Sequence, residues 1–135
     1  MKKRNLMVML ICIVMVLCMT GCRGDVGETA YNIGESSLYS EQEIQAAMDV
    51  AVREFRREYQ DCKLLDIRYH EEKTLSEAAY RQEIGESERI MVLLSDFEVG
   101  DHADAGFNPN DTYRDWKWIL GNDGTGWKLL GCGYG

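Results

Sequence analysis

The fold is decided by the stretch IMVLLSDFEV, residues 90–99. Its first five residues are all apolar, which is typical of a central strand that is covered on both faces. From residue 95 onward two acids, Asp96 and Glu98, alternate with apolar residues, so one face of this half meets water. The sequence therefore predicts a central strand that is fully buried where it begins and half-exposed where it ends.

Downstream of this strand the sequence predicts a β-hairpin. Residues 113–120 carry Trp116 and Trp118 on one face, and residues 127–132 form the partner strand. The turn between them, residues 121–126, reads GNDGTG, and glycine with short polar residues favours tight turns. Because each tryptophan can bury about 150 to 250 Å², the hairpin has enough bulk to pack against the rest of a small domain.

Upstream of the central strand we expect two helices and a strand. Residues 40–43, SEQE, are a capping box, since the serine hydroxyl and the glutamate carboxylate can each satisfy an unpaired N–H at a helix start. Apolar residues follow at helical spacing. Residues 64–69 alternate as a half-exposed strand, and a second capping box at Thr74 predicts a shorter helix that ends at Gly85.

The order of these elements predicts the fold class. Helix, strand, helix and then three strands are typical of an α+β domain with two helices packed on a curved, mainly antiparallel four-stranded sheet. We expect this single domain to cover residues 40–135. Residues 22–39 contain three glycines and show no periodicity, so they are predicted to be a flexible tether that spans about 20 to 25 Å.

The first 21 residues have the layout of a signal peptide. Three cations at residues 2–4 precede an apolar run of 14 residues at 6–19, which is shorter than the roughly 20 residues of a transmembrane helix. The run ends in Met19-Thr20-Gly21-Cys22, which resembles the lipobox of bacterial lipoproteins. We therefore expect a lipid anchor on Cys22 at the extracytoplasmic face of the cell membrane. Ordinary secretion, with Cys22 left as a thiol, is the alternative.

Charge excludes one class of partner. The chain has 15 Lys and Arg against 23 Asp and Glu, and residues 1–21 hold three of the cations and no acid, so the mature chain of 114 residues has a formal charge of −11. Nucleic-acid binding draws its affinity from Lys and Arg, so no nucleic-acid partner is expected, nor flat adsorption onto anionic lipid. Arg53, Arg56 and Arg57 alternate with acids, which indicates a solvated helix face with ion pairs.

The C-terminal third resembles small, uncharacterised secreted proteins and lipoproteins of Gram-positive bacteria. The resemblance is carried by residues 92–99, 108–113 and 116–120, and by Gly126-Trp127-Lys128 and Gly133-Tyr134. The order of elements is also compatible with NTF2-like or cystatin-like cones. The resemblance implies a fold and an exported location, and it implies no activity.

Cys62 and Cys132 are the thiols that remain once Cys22 is acylated. Our first hypothesis is a disulfide, which persists in an exported compartment and requires the first predicted strand to lie beside the last. Two buried free thiols are the alternative. With His70 and His102 they form a nominal zinc set, but structural zinc sites use close pairs of ligands, so no metal is expected.

Oxygen ligands are concentrated in the loop at residues 100–111. These are Asp101, Asp104, Asn108, Asn110 and Asp111. They lack the spacing of an EF-hand, so a solvated polar loop is expected rather than a calcium site. No phosphate loop or nucleophile elbow is present in the sequence, and no cofactor is expected.

Two hypotheses for the function follow. The first is a lipid-anchored, noncatalytic binding or accessory module for an unidentified protein or small-molecule ligand. The second is an enzyme or ligand carrier with a pocket in the cone, where Asp96 or Glu98 is the polar group and Trp116 and Trp118 line the wall. A catalytic carboxylic acid needs a raised pKa and therefore burial. A filled interior with outward-facing acids would favour the first hypothesis.

Overall fold

A computed structural model describes residues 23–86, 88–104 and 106–134. Its elements, in chain order, are β1 (Ala30–Asn32), α1 (Glu41–Glu58), β2 (Cys62–Tyr69), α2 (Glu71–Glu83), β3 (Arg89–Val99), β4 (Thr112–Asn122) and β5 (Trp127–Gly133). The predicted α+β class with two helices is confirmed. The predicted signal peptide and Cys22 lie outside the described residues.

The strands form one mixed sheet in the order β1-β2-β3-β4-β5. Strands β2 to β5 pair antiparallel in sequence, and β1 pairs parallel with β2. The prediction of four strands was therefore wrong by one edge strand. All three residues of β1 are exposed. The strand therefore lacks the alternation of apolar and polar residues from which a strand is predicted.

The central strand β3 has the burial that its sequence predicts. Its residues from Ile90 to Leu94 are 0 to 4% exposed, whereas Glu98 near its end is exposed. Leu93 and Phe97 belong to the core cluster that includes the apolar stripe of α1. Successive side chains of a strand point to opposite faces, so Val92 and Leu94 are buried on the other face of the sheet.

Helix α1 begins at the predicted capping box. The Glu43 backbone N–H donates to Ser40 Oγ at 3.2 Å, and the Ser40 N–H donates to Glu43 Oε2 at 3.0 Å. Its buried residues recur at helical spacing, as predicted, and form a single stripe against the sheet: Ile44, Ala47, Met48, Ala51, Val52 and Phe55. The helix is thus held by its cap at one end and by apolar packing along its length.

Helix α2 begins at Glu71, three residues before the predicted start at Thr74. His70 is its N-cap, and His70 Nδ1 accepts from the Lys73 N–H at 3.2 Å. The Thr74 hydroxyl has a different role: it accepts from the Val92 N–H at 2.9 Å and donates to the His70 carbonyl at 2.8 Å. It therefore bridges two backbone groups at the point where the chain leaves the sheet. The bridge pairs the buried Val92 N–H, while the His70 carbonyl also accepts the Thr74 backbone N–H at 3.0 Å.

The first described residues are fixed to the end of α1 and to β2. The Gly24 N–H donates to the Arg56 carbonyl at 3.0 Å, and the backbone N–H and C=O of Asp25 make hydrogen bonds of 2.8 and 2.9 Å with β2. A Cβ atom at Gly24 would lie only 2.5 Å from the Phe55 carbonyl oxygen. The structure thus differs from the predicted flexible tether, because part of this segment is hydrogen-bonded to the domain.

We expect Thr74→Val to destabilise the domain. Valine matches the shape of threonine but leaves the buried Val92 N–H without an acceptor, which costs about 1 to 3 kcal/mol. Urea denaturation measures the free energy of unfolding. Thr74→Ser keeps the hydroxyl and should retain most of the stability, whereas equal stability of wild type and Thr74→Val would contradict the bridging role.

Gly24→Ala should lower the free energy of unfolding by about 1 to 3 kcal/mol, since its methyl group has no room against α1. Gly27→Ala is the matched control, because the nearest atom to its Cβ would be Asp25 Oδ1 at an ordinary 3.4 Å. Both variants are compared with wild type in the same denaturation experiment. If they lose the same amount, the close approach of Gly24 to α1 is unimportant.

Candidate functional site

The four residues predicted to line one pocket lie on opposite faces of the sheet. Trp116 is opposite Ser95 in the β3–β4 pairing, and it shares the α1-facing side with Trp118. Asp96 and Glu98 alternate with Ser95 along β3 and therefore lie on the other face. The carboxylates and the tryptophans do not meet, so these four residues do not form the predicted pocket.

The α1-facing side of the sheet is filled by aromatic rings. We call this set the aromatic cluster, and the distances between its neighbouring ring centroids run from 4.7 to 6.4 Å. Its members are Phe55, Tyr59, Phe97, Phe107, Tyr113, Trp116, Trp118 and Tyr134. Trp118 is 0% exposed, and its Nε1–H donates to Ser95 Oγ at 2.8 Å. The side chains on this face of the sheet pack against each other and do not line an open cone.

Tyr59 lies at the centre of the aromatic cluster. Its hydroxyl accepts from the Trp116 Nε1–H at 3.0 Å and lies 3.4 Å from Cys132 Sγ. Burial raises the pKa of Tyr59, and the contact with Cys132 raises it further. This hydroxyl therefore stays protonated at neutral pH, and its role is to accept a hydrogen bond inside the aromatic cluster.

The aromatic cluster reaches the surface at Tyr134, which is 65% exposed. The ring of Tyr134 stacks on Tyr113 at 5.8 Å and meets the edge of Trp116 at 5.3 Å. Two rings thus support an exposed aromatic side chain near the end of the last strand.

An ionic network occupies the other face of the sheet. Arg68 Nη1 lies 2.6 Å from Asp66 Oδ1, and Arg68 Nη2 contacts both Asp96 Oδ1, at 3.1 Å, and Asp115 Oδ1. Asp96 Oδ1 also accepts from the Asp115 backbone N–H at 2.9 Å, and Asp96 Oδ2 lies 3.4 Å from Arg114 Nη1. The Asp96 carboxylate is thus surrounded by donors from two strands, β2 and β4.

This environment holds Asp96 in its ionised form. Partial burial acts to raise the pKa of Asp96, but the hydrogen bonds from the Asp115 N–H and from Arg68 outweigh it, so the pKa lies below its usual range. A general acid at neutral pH needs the opposite shift. Asp96 is therefore a structural ion partner, and Glu98 is exposed beside a surface cleft of about 250 Å³ that Lys63 also lines.

The predicted disulfide is not formed. Cys62 lies on β2 and Cys132 on β5, two strands that are separated by β3 and β4, and both cysteines are free. The bridge was predicted from the exported compartment, and the strand order that separates the two cysteines is not evident from the sequence. Burial, followed by the charges of Asp61 and Asp104, raises the pKa of Cys62 to about 11, so this thiol is a poor nucleophile at neutral pH.

Among the candidate metal ligands, the side chains of His70 and Asp111 accept hydrogen bonds, whereas His102 and Asn108 are bonded through their backbone N–H groups. His70 caps α2, and the backbone N–H of His102 donates to Asp61 Oδ2 at 2.7 Å. In the 100–111 loop, the Asn108 N–H donates to the Tyr113 hydroxyl and the Asp111 carboxylate accepts from the Thr112 N–H. Within the described ranges, no group of three or more His, Cys, Asp or Glu side chains is placed to hold a metal ion.

Four arginines line one surface cleft of about 330 Å³ at the end of α1: Arg23, Arg53, Arg56 and Arg57. We call them the arginine cluster. Arg57 is paired with Glu54 at 2.7 Å, at the predicted helical spacing, and with its neighbour Glu58 at 2.8 Å. Among the described residues, Arg53 and Arg56 form no ion pair. The sequence placed three of these arginines on one helix face but could not show that Arg23 joins them.

Comparisons with protein-family models, with curated proteins and with solved structures gave no match for this chain. In the part of the chain that the structure describes, neither helix is long and apolar enough to span a membrane. Any statement about function therefore depends on the residues and their geometry.

We expect Asp96→Asn to destabilise the domain by about 1 to 3 kcal/mol, because a neutral amide replaces a carboxylate that accepts charged hydrogen bonds. The loss is measured by denaturation at neutral pH. Since the folded-state pKa of Asp96 is lowered, its contribution is present above the pKa of the unfolded chain and is lost as the pH falls through the folded-state pKa. The difference between wild type and variant should therefore shrink in acid.

Glu98→Gln is the control on the same strand, and its free energy of unfolding should stay within about 0.5 kcal/mol of wild type. Catalytic residues are often held at a cost in stability. An Asp96→Asn variant as stable as wild type, or more stable, would contradict the structural role.

Proposed function

We propose that this chain is an exported lipoprotein, held at the extracytoplasmic face of the cell membrane by acyl chains on Cys22, and that its domain is a noncatalytic binding or accessory module. The leader supports the location through its cations at residues 2–4, its apolar run and the lipobox-like residues 19–22. Two or three acyl chains supply stable anchoring, at about 0.8 kcal/mol for each buried methylene group.

The ion pairs and hydrogen bonds around the Asp96 carboxylate are the observation that carries the noncatalytic part of this proposal. Of the two acids predicted to line a pocket, Asp96 is more buried than Glu98. It contacts Arg68 and lies on the face of the sheet opposite the aromatic cluster. Among the described residues, every buried side-chain nitrogen and oxygen atom has a hydrogen-bond partner. In the part of the chain that the structure describes, no buried polar side chain lacks a partner that a substrate could supply. This favours binding through the surface of the domain.

We also propose that the fold is a variant of the NTF2-like or cystatin-like cone. Each of the three antiparallel pairings, β2–β3, β3–β4 and β4–β5, contains a register shift, and such bulges bend a sheet and increase its twist. A sheet that is bent in this way can curve around α1, which supports the proposed cone. The aromatic cluster would then fill the space that an open cone leaves for a ligand.

Replacing Cys22 by serine tests the lipid anchor. The wild-type protein, expressed with its leader and extracted in a detergent that separates into two phases, should enter the detergent phase, and Cys22→Ser should enter the aqueous phase. Cys132→Ser also removes one thiol and should behave as wild type. Equal partitioning of wild type and Cys22→Ser would show that the chain is not anchored through this cysteine.

A further inference from the structure

We propose that the arginine cluster binds the phosphate groups of anionic phospholipid headgroups beside the anchor and thereby orients the domain on the membrane. This inference rests on the proposed lipid anchor at Cys22. It adds a second, electrostatic contact between the domain and the membrane, and it assigns that contact to one end of α1.

Covalent geometry brings the arginine cluster to the point of attachment. Gly24 is hydrogen-bonded to the Arg56 carbonyl at 3.0 Å, and a single residue, Arg23, separates it from Cys22. Because consecutive Cα atoms are about 3.8 Å apart, the Cα of Cys22 is within about 8 Å of that of Gly24. The proposed acylation site is therefore only two residues along the chain from Gly24, which is hydrogen-bonded to the end of α1.

The chemistry of the arginine cluster fits phosphate. A guanidinium group matches phosphate oxygens with two parallel N–H donors. Arg53 and Arg56 form no ion pair among the described residues, and their side chains are exposed. These two arginines are therefore open to an external anion, whereas Arg57 already has two carboxylate partners.

A purely structural reason explains only part of the arginine cluster. Cations in the last turn of a helix interact favourably with the negative end of its dipole, and this accounts for Arg56 and Arg57, which lie in the last turn of α1. It does not account for Arg53, which precedes that turn, or for Arg23, which belongs to another segment. All four arginines line one cleft, and Arg23 directly follows the proposed anchor residue, Cys22.

The negative charge of the rest of the domain should orient the domain with the arginine cluster toward the membrane. The mature chain carries −11, so an anionic membrane repels most of its surface. An 18-residue helix is about 27 Å long, several times the Debye length of about 8 Å at physiological ionic strength. With the end of α1 on the membrane, the acids in the first turn of the helix, Glu41 and Glu43, lie outside the range of this repulsion.

The test uses the acylated protein reconstituted in lipid vesicles. A fluorescent probe is placed at the exposed position next to α1 by Gln60→Cys, in a background with Cys132→Ser, and nitroxide-labelled headgroups report its contact with the membrane surface. We expect stronger quenching in vesicles that contain phosphatidylglycerol than in phosphatidylcholine alone, and loss of that difference at high salt. Co-flotation with vesicles reports the acyl anchor separately in every sample.

The double variant Arg53→Gln with Arg56→Gln should lower the equilibrium constant for the membrane-bound orientation about 30-fold. Each charge near an anionic surface contributes a factor of about five. The variant Lys73→Gln with Lys128→Gln removes the same charge elsewhere and should quench as the parent does. The inference is overturned if the two double variants quench equally, or if neutral and anionic vesicles give the same quenching while the protein still floats.

Discussion

The last turn of α1 is the part of the structure on which the rest depends. Phe55 and Tyr59 stack at 4.7 Å, and each meets the edge of Phe97 on the central strand at 5.5 Å. On the sheet side, these two rings pack with the rest of the aromatic cluster and fill the space between α1 and the sheet. On the outside, the backbone of the same turn receives Gly24 so closely that a Cβ would not fit. One turn of helix thus determines both that the interior is occupied and where the N-terminal segment lies.

Much of the fold follows from local patterns. The capping box at Ser40, the apolar stripe of α1 and the apolar run of β3 are signals within a few residues of one another, and their predictions were confirmed. The features that sequence reasoning missed depend on distant partners. Thr74 has the spacing of a cap but bonds to Val92 across the sheet. The pairing of Cys62 with Cys132 depends on a strand order that no local pattern contains.

The candidate site shows the same division. Alternation along β3 predicts that Asp96 and Glu98 share a face, and they do, but only the structure shows that Arg68 holds Asp96 in its ionised form and that the tryptophans face the other way. The arginine cluster was divided in the sequence, because Arg23 lies 30 residues before the first arginine of α1. The whole-chain charge of −8 conceals this arginine cluster on an acidic domain, and the cluster includes Arg23, which directly follows the proposed anchor.

The chain is fixed to α1 from Gly24 onward, and the proposed contact of the arginine cluster with the membrane depends on this attachment. Native-state hydrogen exchange of the Gly24 and Asp25 amides tests it most directly, because both donate to carbonyls of the domain in the structure. The account predicts that these two amides are protected from exchange, with the buried amide of Val92 as the internal reference. Exchange of both amides at the rate of an unstructured peptide, while Val92 stays protected, would contradict the account and return this segment to a flexible tether.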